Sequence, residues 1–129
     1  MSVGIIIITH GQTGESLQEV AEFILGQSMN GLGNLSFRQS GSEATSGDDV
    51  RRLMAEADSG DGVLVLTDLL GASPCNLVTR VMQDFDAIAV TGVNLAMLVR
   101  VWNYRSRPLD ELATIAAEGG RRGVEVVRK

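Results

Sequence analysis

The sequence is poor in the residues that build disulfide frameworks and metal centres, with one cysteine, Cys75, and one histidine, His10, among 129 residues. A lone cysteine closes no bridge within the chain, and one histidine beside one cysteine makes no zinc set, so no metal and no other cofactor is expected. Basic residues are in the minority. The formal net charge of −5 argues against nonspecific nucleic-acid binding and suits a basic protein partner. Long apolar runs are missing too, as is a basic region ahead of a cleavable apolar segment. The expectation is a chain that inserts into no membrane and works in the cytoplasm. There is no low-complexity tract, and the length suits one domain, residues 1–129, with one sizeable core. The pairs Arg51-Arg52, Arg121-Arg122 and Arg128-Lys129 read as solvated helix ends and tail.

What is present is organised around one stretch. Four consecutive isoleucines, Ile5 to Ile8, lie in an apolar run that stops at Thr9-His10-Gly11. An unbroken β-branched run reads as a strand buried on both faces, as in the middle of a parallel sheet. His10 therefore falls at the carboxyl end of that strand, the edge where open α/β sheets bind ligands.

Further along, the 11–14 loop leads to a helix over 15–25, with Leu17, Val20, Ala21, Ile24 and Leu25 on one face and Gly26 as its stop. A weak strand over 35–38 and a polar loop over 40–47 follow. A second helix over 48–57 points Val50, Leu53, Met54 and Ala57 inward, with Ser46 or Asp48 as cap. Residues 62–67 repeat the pattern of the first strand and end at Asp68. Then Ser73 reads as an N-cap and Pro74 as the first residue of a helix to about 83. A strand over 87–91, the turn Gly92-Val93-Asn94, a helix over 95–104, a helix over 108–118 and a strand over 123–127 complete the order βαβαβαβααβ.

Alternating strands and helices imply parallel pairing with right-handed crossovers, hence an α/β fold with a doubly wound sheet in the order 2-1-3-4 and helices on both faces. The direction of winding reverses between strands one and three, which opens a crevice at their carboxyl ends. His10 and Asp68 face that crevice from neighbouring strands about 4.8 Å apart. A carboxylate on one imidazole nitrogen fixes the tautomer and stabilises positive charge on the ring, leaving the other nitrogen as a nucleophile. Ser73, the first amides of the third helix and the close-approach glycines Gly11 and Gly71 would suit an anion, and a phosphoryl group fits. Each part also has a plainer reading. A lone histidine after an apolar strand is more often structural than working, Asp68 serves equally to cap a turn, and Ser73-Pro74 is an ordinary helix start. Cys75 reads as a small buried apolar residue; Met54, Met82 and Met97 read as core, and Trp102 and Tyr104 as cover for the core or an interface.

Together the motifs resemble the IIA domain of the mannose family of the bacterial phosphoenolpyruvate-dependent phosphotransferase system (PTS). That family's strand ending T-H-G stands here as Thr9-His10-Gly11, its D-x-x-G-G-S-P-x-N as Asp68 to Asn76, and its G-V-N-x-P-M-L as Gly92 to Leu98. Ala72 replaces the second glycine and Ala96 the proline. The resemblance implies a phosphocarrier, with no cofactor. His10 would take a phosphoryl group on Nε2 from the histidine phosphocarrier protein and pass it to a IIB partner, coupled to sugar uptake. Asp68 would hold the other ring nitrogen, and Gly11, Gly71, Ser73 and Asn76 would line the phosphoryl site. The family pairs as dimers that exchange a C-terminal antiparallel strand, which residues 124–127 could supply. Because the chain ends after that segment, the acceptor is expected to be a separate protein.

Other functions remain open at this level. The same residues would serve a stand-alone regulatory PTS protein whose partner binding depends on the phosphorylation of His10. The phosphoryl-donor subunit of dihydroxyacetone kinase shares the fold, although Thr9-His10-Gly11 looks more like the mannose branch. A hydrolase triad of Ser73, His10 and Asp68 is weaker, since Ser73 is not set in a G-x-S-x-G elbow. A cysteine phosphatase would need an arginine where Val81 stands, six residues after Cys75.

Overall fold

The computed structural model describes residues 2–38, 44–69 and 73–129, residues 73–75 by their backbone alone. Its centre is strand β1, Gly4–His10, which pairs in parallel with β2, Gly33–Phe37, on one side and with β3, Val63–Thr67, on the other. β4, Ala87–Val90, adds to the far side of β3, and the sheet order is β2-β1-β3-β4. Sheet order and parallel sense agree with the expectation from the alternating pattern.

The isoleucine run is apolar on every residue because both faces of the sheet are covered. Ile5 and Ile7, with Leu64 and Leu66, pack beneath helices α1, Thr13–Leu25, α4, Leu95–Asn103, and α5, Leu109–Arg122. Ile6 and Ile8, with Val63 and Val65, meet Val50 and Met54 of α2, Gly47–Ala57, and Val78 and Val81 of α3, Ser73–Val81. Each such side chain contributes roughly 1.5–3 kcal/mol of burial, so β1 is anchored from two sides. Met54, Met97 and Trp102 are buried within this core as expected. The second helix is capped by Ser46, whose hydroxyl accepts from the Asp49 N–H at 3.2 Å while Asp49 Oδ2 accepts from the Ser46 N–H at 2.9 Å.

The structure departs from the sequence reading in several places: β2 runs Gly33–Phe37 rather than 35–38 and α1 starts at Thr13 rather than at 15. On α1, Ala21 is buried but Val20 and Ile24 are exposed. The helix lies close to the sheet through small residues, and a Cβ at Gly14 would come within 2.8 Å of Thr9 Oγ1, which turns the larger side chains outward. The third helix begins at Ser73 itself, one residue earlier than expected, and gives way to a 3-10 turn, Met82–Asp84. Helix α5 runs through Gly119 and Gly120 to Arg122, past the expected stop, because those glycines face α4. A Cβ at Gly119 would sit 2.8 Å from the Arg100 side chain, and one at Gly120 2.7 Å from Met97. The expected last strand is not formed. Residues 124–129 carry no regular structure and pair with no strand of the described residues, although β2 and β4, the outer strands of the sheet, each keep one open edge.

Candidate functional site

The site begins with two buried threonines at neighbouring strand ends. Thr9 and Thr67 are both fully buried, and each is followed by a group that emerges at the sheet edge, His10 and Asp68. The β1–β3 pairing sets Ile8 opposite Thr67, so Asp68 leaves β3 one step before His10 leaves β1 and reaches it across the sheet edge. The Thr9 hydroxyl accepts the Gly14 N–H at 2.7 Å and ties the start of α1 to the end of β1. Between them Gly11 turns with φ +51° and, among the described residues, no atom within 4 Å of its missing Cβ, a left-handed conformation that disfavours side chains.

His10 Nδ1 lies 2.9 Å from Asp68 Oδ2, and the same oxygen accepts the His10 backbone N–H at 3.0 Å. Burial pushes the Asp68 carboxyl upward, but the His10 backbone N–H, the ring hydrogen bond and the charge of the imidazole outweigh it and leave the pKa below the ordinary carboxylate value. An ionised carboxylate only accepts, so the ring proton is assigned to Nδ1 and the lone pair of the neutral ring to Nε2. The His10 side chain is 44% exposed against 19% for Asp68. The carboxylate is thus held inside while the imidazole remains open to an incoming group.

Other parts of the rim are placed by backbone contacts. The Val93 N–H donates to the Thr67 carbonyl at 2.8 Å, which ties the Gly92-Val93-Asn94 turn to the end of β3 next to Asp68. Asn94 fixes that turn twice over, since its Oδ1 accepts the Met97 N–H at 2.9 Å and its Nδ2 donates to the Gly120 carbonyl at 3.0 Å. Ser73 opens α3, and Asn76 is exposed in that helix's first turn. Gly71 lies outside the described residues, as do the side chains of Ser73 and Cys75.

Sequence reasoning missed an aromatic neighbour of His10. Phe37, the last residue of β2, is paired in register with His10, and the two rings meet at 6.2 Å between centroids with an interplanar angle of 69°. Only the β1–β2 register could have revealed it, and the weak alternation of β2 did not fix that register. Among the described residues no group of three or more His, Cys, Asp or Glu gathers to hold a metal, and no helix is long and apolar enough to cross a membrane.

The geometry can be set beside known proteins. A family model described as EIIA-man, PTS system fructose IIA component, matches residues 4–115. The PTS system mannose-specific EIIAB component of Escherichia coli K12 is 35% identical over 131 residues, covering 99% of this chain and 40% of that protein. The chain therefore spans 40% of the length of the curated relatives it matches. Among solved structures, the phosphotransferase system component EIIA from Streptococcus agalactiae is 27% identical, with a TM-score of 0.80 and 96% of each chain covered. The mannose/sorbose specific IIA subunit from Enterococcus faecalis shares the fold at 24% identity and a TM-score of 0.79, with 100% of this chain and 97% of that one covered.

Proposed function

We propose, for a chain that belongs to the EIIA-man family of phosphotransferase-system IIA components, that His10 is a phosphoryl carrier between a histidine phosphocarrier protein and a IIB acceptor. The observation that carries this reading is the contact of His10 Nδ1 with Asp68 Oδ2 at 2.9 Å on a half-exposed ring whose Nε2 has no hydrogen-bond partner among the described residues. Nε2 attacks the phosphorus of the donor's phosphohistidine; the donor's P–N bond breaks as the P–Nε2 bond forms. The Nδ1 proton stays against Asp68, whose negative charge offsets the positive charge gathering on the ring. Transfer onward to IIB is the same exchange in reverse. Such transfer needs positioning and charge stabilisation more than covalent chemistry, and a half-exposed imidazole suits a donor that is itself a protein.

Gly11, Gly71, Ser73 and Asn76 are the proposed surroundings of the phosphoryl group, with the first-turn amides of α3 as its donors. Leu69, immediately after Asp68, and Val20 and Ile24 on α1 are exposed and suit an apolar partner surface. A dimer would cover the apolar tail, in which Val124, Val126 and Val127 stand exposed, by pairing it with a strand edge of a second copy.

The test is incubation with phosphoenolpyruvate, enzyme I and the histidine phosphocarrier protein, followed by intact-mass measurement. The reading expects one acid-labile phosphoryl adduct that is absent from His10→Ala, slowed in Asp68→Ala and weakened in Ser73→Ala. Full-rate labelling of His10→Ala would contradict it.

A further inference from the structure

Asp68 alone does not fix the direction in which His10 presents Nε2. Among the described residues one side-chain hydrogen bond, at Nδ1, pins a corner of the imidazole and leaves the ring plane room to rock about that contact, and the side chain is 44% exposed. The Phe37 ring closes this freedom. It stands 6.2 Å away at 69°, the edge-on arrangement that aromatic pairs prefer. Phe37 is itself held, since it is only 8% exposed and ends a strand paired in register with β1. A rigid aromatic wall on one strand and a carboxylate on the other thus bracket an otherwise open ring. We propose that Phe37 is a positioning residue for phosphoryl transfer, setting the imidazole plane so that Nε2 meets the incoming phosphorus in line. This rests on the phosphocarrier reading of His10, through whose ring Phe37 would act.

The experiment compares wild type, Phe37→Leu and Phe37→Tyr in single-turnover transfer from the phosphorylated histidine phosphocarrier protein across donor concentrations. Leucine retains an apolar filling without an aromatic face; tyrosine retains the ring. For Phe37→Leu the rate at saturating donor is expected to fall about three- to tenfold with KM unchanged, the loss of one aromatic contact from the transition state. Phe37→Tyr should recover to within about twofold of wild type. If leucine at this position unfolds the chain, Phe37→Met carries the same comparison. An unchanged rate in Phe37→Leu, an equal fall in both variants, or a loss confined to KM would overturn the proposal. Failure of the wild type to accept phosphoryl at all would overturn the phosphocarrier reading and this inference with it, whereas labelling of all three chains at one rate would overturn this inference alone.

Discussion

Residues 5–8 are four isoleucines and residues 124–127 are three valines around Glu125, two runs of nearly the same β-branched chemistry. Ile6, Ile7 and Ile8 are completely buried, while Val124, Val126 and Val127 are 75%, 79% and 88% exposed. The difference lies in what each run finds beside it. β1 has β2 on one edge and β3 on the other, with helices over both faces; the tail pairs with no strand among the described residues. Strand propensity therefore describes fit to a pleated, half-covered surface rather than an intrinsic shape. A strand fixed so completely also has a use, because it holds one exposed side chain at its end without letting that side chain drift.

The contrast can be broken at the buried end first. Ile7→Ala should cost about 2–5 kcal/mol, read as a lower urea midpoint with an unchanged slope, since the methyl groups it removes have no room to be replaced. A loss under about 1 kcal/mol would mean that β1 is less tightly held than its burial implies. Next, Thr9→Val removes the acceptor of the buried Gly14 N–H and should cost about 1–3 kcal/mol. Amide exchange at Gly14 should accelerate with it, and an unchanged exchange rate would deny the clamp.

At the exposed tip of β1 the same contrast depends on acid. The Asp68 pKa is lowered in the folded chain, so its stabilising share is fully present above the unfolded carboxyl value of about 3.9 and is lost as pH falls through the folded value. The stability gap between wild type and Asp68→Asn should hold at pH 7 and 5 and close toward pH 2. A gap that widens on acidification would contradict that sign. Least of all, Val126→Ser should change the unfolding free energy of the isolated chain by no more than about 0.5 kcal/mol. If the tail pairs with a second copy, the same substitution will show in sedimentation as weakened association.

Much of this was legible from residue order. The unbroken apolar character of β1 and β3, each closing on a polar residue, was enough to place His10 beside Asp68, because parallel pairing leaves little choice about which ends meet. The left-handed Gly26 stop was equally local, and the cap of α2, open between Ser46 and Asp48 in the sequence, is Ser46. What was hidden depended on contacts between distant segments. Val20 and Ile24 satisfy a helical stripe but turn outward because Gly14 and Ala21 let α1 approach the sheet. Gly119 and Gly120 look like a helix stop, yet they continue α5 because Arg100 and Met97 leave no space for a Cβ. Phe37 came beside His10 through the register of a strand whose own pattern is faint. The C-terminal valines read as a strand because composition records propensity and is silent about partners.

The most direct test of the central claim is the 15N and 31P spectrum of the phosphorylated protein labelled at its single histidine. The account predicts phosphorus bonded to Nε2 of His10, with Nδ1 protonated and its proton protected against exchange, and loss of that protection in Asp68→Ala. Phosphorus on Nδ1, or on any residue other than His10, would contradict it.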